Sequence, residues 1–129
     1  MTDKTPKVYL AARFPRRAEL EALVPELEAK TGWKVNARWV FGGEEGLSRR
    51  DIAHLDLEDV DTSDILILFT EPYGSENPGG GRFVEFGYAL ACGKVVYVVG
   101  EYENVFTHHR KVLVYPTLGD LLRDHEIIK

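Results

Sequence analysis

A chain of 129 residues, 44% hydrophobic and 29% charged, is expected to fold as one domain over 1–129, with residues 1–6 as an N-terminal tail. Its 16 Lys and Arg against 21 Asp and Glu give a net charge of -5, which argues against a nucleic-acid polymer as partner, since that takes clustered cations. The single Cys92 excludes an intrachain disulfide framework and a thiolate zinc cluster. With no apolar run near the ~20 residues of a membrane span and no signal-peptide stretch in Met1–Pro6, a cytoplasmic protein without a membrane partner is expected.

Lys7–Arg13 (KVYLAAR) is short, mostly apolar and β-branched at its start, which predicts a buried first strand. Pro15 is placed to open a helix at its first turn, and Leu20, Leu23, Val24 and Leu27 carry helical spacing toward Thr31-Gly32. Trp33–Val40 alternates weakly and predicts a second strand. Phe41–Leu47 (FGGEEGL) is a glycine-rich loop. Ser48 is placed to cap a helix over Arg49–Asp61 with Ile52, Leu55 and Val60 on its inner side. Asp64–Phe69 (DILILF) predicts the clearest strand of the chain, and Thr70–Gly81 is loop. A helix over Arg82–Ala91, a strand over Val95–Val99, a loop over Glu101–Arg110, a strand over Lys111–Val114 and a helix from Pro116-Thr117 complete the order. Strands alternating with amphipathic helices predict an α/β fold, a doubly wound five-stranded parallel sheet with helices on both faces. Such sheets bind ligands beyond the carboxyl ends of their strands. Arg13, Glu71–Arg82 and Glu101–His109 are therefore the candidate site loops.

The most informative stretch runs from Asn77 through Gly79, Gly80, Gly81, Arg82 and Glu85 to Lys94. Glycines at a helix start let a ligand approach the backbone, and the helix N-terminus favours an anion. Neither a dinucleotide fingerprint nor a Walker lysine is present. Glu85, about one turn in, has a plainer explanation as a complement to the helix dipole. Asp56 lies in an acidic run, Asp56–Asp64, that reads largely as a solvated helix face and turn. Tyr9 on the first strand fits a core aromatic. The four histidines lack metal-ligand spacing, Cys92 reads as an inert core thiol, and no Gly-x-Ser-x-Gly elbow occurs.

The order Val8-Tyr-Leu-Ala-Ala-Arg-Phe14, Asp56-Leu with Ser63-Asp64-Ile, and Gly-Arg-Phe-Val-Glu85-Phe-Gly-Tyr-Ala with Gly93-Lys94 resembles the nucleoside 2-deoxyribosyltransferase superfamily, including its nucleotide N-glycosidase branch. The resemblance spans about Lys7 to Leu122. It implies a flavodoxin-like (Rossmann-like) fold, Glu85 as nucleophile on the anomeric carbon, Tyr9 as its positioning partner and Asp56 as an acid contacting the base. It also implies that a neighbouring subunit completes the pocket, with Asn104 in the corresponding late loop. The transferases carry an Asp just before the Gly-rich helix start; here Glu76 or Asn77 would have to substitute. Pro78-Gly-Gly-Gly-Arg-Phe-Val-Glu85 also looks like a shortened form of the motif of cytokinin-type phosphoribohydrolases.

Both resemblances place a carboxylate at a ribosyl carbon. Cleaving the C–N bond builds an oxocarbenium-like sugar, which a carboxylate can stabilise and capture, while a second acid protonates the departing base. This division needs Glu85 ionised, helped by the helix N-terminus, and Asp56 protonated. No metal or organic cofactor is required. Arg13, Arg82 and the N–H groups of Gly79-Gly80-Gly81 would suit a 5′-phosphate, although both arginines also fit an ordinary surface position. The expected partner is thus a small-molecule nucleoside or nucleotide, handled by a homodimer or larger homo-oligomer. Hydrolysis and transfer both stay open, as does a non-catalytic nucleotide-binding domain of the same fold.

Overall fold

The computed structural model describes residues 4–75 and 80–128. Five strands, β1 (Lys7–Ala11), β2 (Lys34–Val35), β3 (Ile65–Phe69), β4 (Val95–Val99) and β5 (Val112–Tyr115), form one parallel sheet in the order β2-β1-β3-β4-β5. Helices α1 (Arg17–Thr31), α2 (Arg49–Asp61), α3 (Gly81–Ala91) and α4 (Leu118–Ile128) fill the crossovers. α1 packs with α4 on one face and α2 with α3 on the other, so the sheet is covered on both sides. This is the expected flavodoxin-like α/β architecture.

The core follows from the strand composition. All five residues of β3 are buried, as are Val8, Tyr9, Leu10 and Ala11 of β1, because a strand sandwiched between two helical layers has no wet face. Leu20, Val24 and Leu27 close one side from α1, and Phe86 and Ala89 close the other from α3.

Four expectations need correction. Pro15 opens a 3₁₀ turn over Phe14–Arg16, and the α-helix starts after it at Arg17. The second strand stops at Val35, and Arg38–Phe41 is a 3₁₀ turn. The cause is side-chain competition for the backbone: the Arg38 N–H donates to Asp59 Oδ2 at 2.9 Å, and Trp39 swings inward to donate Nε1–H to the Leu10 carbonyl at 2.9 Å. Asp59 itself is only 4% exposed, so the acidic run is not wholly a solvated face; the Arg38 guanidinium pairs with it at 2.8 Å. Cys92 is exposed rather than a core thiol, since it follows α3 at the helix C-cap, beyond the buried stripe of Phe86 and Ala89.

Candidate active site

In the order β2-β1-β3, the chain's winding reverses between β1 and β3, which is where such sheets open a crevice. A cavity of about 710 Å³ lies there, inside the ~300–1,000 Å³ usual for small-molecule sites. Its apolar side is made by Phe14, Trp39 and Ile52, with the Phe14 and Trp39 rings 6.3 Å apart. Its polar side is made by Glu44, Asp56 and Glu85 with the exposed Glu45 at its rim, and its cations are Arg13, Arg17 and Arg82, the last beside Gly81.

Tyr9 is fully buried on β1, yet its hydroxyl donates to Glu85 Oε2 at 2.6 Å across 76 residues of sequence. Burial, reinforced by the Glu85 and Asp56 carboxyls, pushes the Tyr9 hydroxyl far above the usual phenol range, so it stays a donor. Glu85 is the fifth residue of α3, and no acidic side chain occupies the first turn. The dipole-complement explanation therefore does not account for it. Burial raises the Glu85 carboxyl to about 7, against opposing hydrogen bonds from Tyr9 and Asp56. The expectation of a carboxylate held firmly ionised by the helix N-terminus is corrected: desolvation outweighs that help, and near neutrality the group sits midway between its two forms.

Asp56 projects from α2 into the same cavity, and its Oδ1 is buried without a donor. Burial raises it, while a hydrogen bond with Glu44 lowers it. Glu44 is pushed up to about 8, first by burial and then by Asp56. Glu44 is the site residue that sequence reasoning missed. It lies in the FGGEEGL loop, where an acid next to glycines looks solvated, and no periodicity marks which of Glu44 and Glu45 turns inward.

The remaining candidates divide. Arg13 lines the cavity with its Nε buried and unpartnered, and its nearest carboxylate is Glu71 at 4.0 Å. Arg82 also lines it but is 4% exposed and already paired with Glu103 through contacts of 2.5 and 2.7 Å. Gly81 borders the cavity and Gly80 immediately precedes α3. Asn104 does not reach this chain's cavity; its side chain accepts from the Phe106 N–H at 3.0 Å and caps a 3₁₀ turn, Val105–His108. Gly79, Glu76 and Asn77 lie outside the described residues.

The class defined by this fold and site is a flavodoxin-like α/β protein with a cavity lined by four acidic residues, one of which, Glu85, accepts from a buried tyrosine. Comparison with solved structures gives neighbours that include two covering 94% of the chain. The CMP N-glycosidase BcmB of Clostridium botulinum matches with a TM-score of 0.61 and 18% identity, covering 94% of this chain and 98% of its own. A 2-deoxyribosyltransferase from Leishmania mexicana matches with a TM-score of 0.66 and 16% identity, covering 94% of this chain and 97% of its own. The fold is thus shared with these two structures. No family model and no curated protein matches the sequence.

Proposed function

We propose that this protein is an enzyme that cleaves the N-glycosidic bond of a 2′-deoxyribonucleoside or its 5′-monophosphate, with the monophosphate preferred. The observation that carries it is the Tyr9–Glu85 hydrogen bond of 2.6 Å, which aims a carboxylate into a cavity also lined by Asp56 and Arg13. Nothing in the packing asks for that pair. A buried Tyr–Glu contact desolvates a carboxyl group, and a fold gains from it only if the carboxylate has work to do.

The Tyr9 hydroxyl occupies Glu85 Oε2, leaving Oε1 to attack C1′ of the sugar. As the C1′–O bond forms, the C1′–N bond breaks and its electron pair leaves with the base, which takes up a proton from the acid side of the cavity. Water then attacks C1′ and releases Glu85; an incoming base in place of water would make the reaction a transfer. The neutral Tyr9 phenol keeps its proton through both steps. Trp39 and Phe14 offer flat apolar faces for the ligand's rings.

The 5′-phosphate reading rests on the cationic edge. Arg13 and Arg82 each have a buried Nε without a partner, but Arg82 is held by Glu103 at 2.5 Å whereas Arg13 meets Glu71 only at 4.0 Å. Neither Gly80 nor Gly81 adopts a positive φ, and a Cβ at either would meet no atom within 4 Å. The protein's own packing does not demand glycine there; a ligand approaching the backbone would. Incubation with a panel of deoxynucleosides and their monophosphates, followed by chromatography for free base, tests the proposal. Release of base, fastest from a monophosphate, is expected. No free base from any member of the panel overturns it.

A further inference from the structure

Of residues 41–50, nine are exposed, and the exception is a carboxylic acid, Glu44. Its neighbour Glu45 shows that the same loop can hold an acid in water. The loop is shaped by Gly42 and Gly46, with φ of 77° and 83°, conformations that side chains rarely adopt. A Leu47 N–H bond to the Glu44 carbonyl at 3.2 Å closes the turn that points Glu44 inward. Placing a carboxyl group in a cavity wall without a cation is unfavourable unless it is neutral.

Glu44 Oε2 and Asp56 Oδ1 are both buried, and neither meets an N–H or O–H donor. Two acids left in this way, side by side in one cavity, are satisfied together by a single shared proton. Burial raises both acids, and the hydrogen bond between them raises Glu44 further while it lowers Asp56, so the shared proton lies on the Glu44 side. Asp59 on α2 and Glu85 on α3 add negative charge, and the Tyr9 hydroxyl is directed to Glu85. Arg38, the cation that acts on both acids, is engaged by Glu58 and Asp59. Glu45, Arg13, Arg17 and Arg82 also line the cavity, and these arginines are paired with Glu71, Glu21 and Glu103 in turn. Each of these cations is committed to another carboxylate, which opposes ionising both acids together.

We propose that Glu44 and Asp56 form one proton-sharing carboxyl pair that serves as the general acid and base of the site, with Glu44 holding the proton in the resting protein. This rests on the glycosidic-bond reading above and adds a residue to it. In the first step the pair gives its proton to the leaving base nitrogen as the C1′–N electron pair departs; it becomes doubly ionised only as Glu85 gives up its own charge to the C1′–O bond, so the charge of the cavity is unchanged. In the second step water attacks C1′, the C1′–O bond to Glu85 breaks with its electrons returning to Glu85, and the proton lost by water restores the pair. Charge and protons balance over the cycle, with one water consumed and one base released per turn. In transfer, the incoming base surrenders its N–H proton to the same pair.

The test joins a direct readout of protonation to a kinetic one. Carbon-13 NMR of the side-chain carboxyls, titrated in the wild type, Glu44→Gln and Asp56→Asn, should show Glu44 holding a proton beyond neutrality in the wild type and releasing it at lower pH in Asp56→Asn. An ordinary titration of Glu44 near the exposed-glutamate value overturns the pair, whatever the activity. In base-release assays, Glu44→Gln should lose about a hundredfold or more on unactivated bases, within the usual ~10²–10⁴ for general acid catalysis. On an activated leaving group its kcat/KM, which reports base departure alone, should stay within a few-fold of wild type. Its alkaline limb should move toward acid, because the amide that replaces the carboxyl group still donates to Asp56 but cannot pass on a proton. Equal losses on both leaving groups with an unmoved limb overturn the catalytic use of Glu44. Should the wild type release no base while NMR shows the shared proton, the glycosidic-bond reading fails and the pair's catalytic role fails with it. Circular dichroism of each variant separates these results from misfolding.

Discussion

Tyr9→Phe isolates one oxygen atom. The ring is fully buried on β1 and would stay in place, while Glu85 would lose the donor now 2.6 Å from Oε2. That hydrogen bond lowers the Glu85 carboxyl against burial, the balance lying at about 7, so its removal should raise Glu85 further. A hydrogen bond to a charged group contributes about 1.5–3 kcal/mol, which at 1.36 kcal/mol per unit corresponds to roughly one to two pH units. The ionised fraction of Glu85 at pH 7 would then drop from about half to between about 10% and 1%, and kcat/KM would fall about five- to fiftyfold. The assay is base release from a substrate with an activated leaving group, over a wide pH range, so that departure needs no proton and only the Glu85 limb is seen. An acid limb displaced upward, with activity recovering at alkaline pH and melting temperature changed by only a few degrees, is expected. A uniform loss at every pH, with the limb unmoved, would show that Tyr9 does not tune the Glu85 charge.

Glu85→Ala should fold normally and lower turnover by several orders of magnitude, on the scale of nucleophile removal in other enzymes; near-wild-type base release would end the nucleophile assignment. Arg13→Ala should reduce kcat/KM for a monophosphate about tenfold or more, the worth of one or two charged hydrogen bonds, with little change for the free nucleoside. A wild-type preference for the nucleoside, unmoved by Arg13→Ala, would reverse the 5′-phosphate reading. Arg82→Ala should instead destabilise the fold by about 3–5 kcal/mol in denaturant titration, because it strands Glu103 without its partner. Glu44 at about 8 and Glu85 at about 7 hold protons that the unfolded chain releases near 4.5, so stability should fall as pH rises from about 4.5 to about 8 and level off above; Glu44→Gln should flatten that slope, as urea melts at pH 5 and pH 8 would show.

The fold was legible because its strands are short and nearly unbroken runs of apolar residues. Ile65–Phe69 cannot be a wet segment, and its helical neighbours supply the covering layers. The second strand was not, because Trp33–Val40 alternates as a strand does, while its fate is decided by the long-range bonds from Arg38 to Asp59 and from Trp39 to Leu10. Periodicity assigns elements but does not say which side chains meet. The approach of Tyr9 to Glu85 came from a family-like pattern, not from spacing, because the 76 residues between them leave no local signal. Glu44, Asp59 and Glu103 show the limit from the other side. An acid in a polar segment looks solvated whether or not a fold turns it inward, and only the packing distinguishes Glu44 from Glu45.

The two sets of buried acids explain how one small cavity can hold opposite charge states. At the cationic edge, burial works to raise Glu103, but the Arg82 guanidinium and the Glu71 N–H hold it below the usual carboxylate range. Glu71 in turn faces Arg16 at 3.1 Å. On the acid side burial prevails: Arg38, engaged by Asp59 and Glu58, lowers Glu44 only weakly, and Glu44 rises to about 8. The same desolvation is therefore overcome at Glu103 behind Arg82 and wins at Glu44 beside Asp56. Glu85 lies between, at about 7, with a phenol as its donor rather than a cation. On the proposed function, a nucleotide would set its anionic end at the arginines and its base toward Asp56, an orientation that would bring the bond between sugar and base over Glu85.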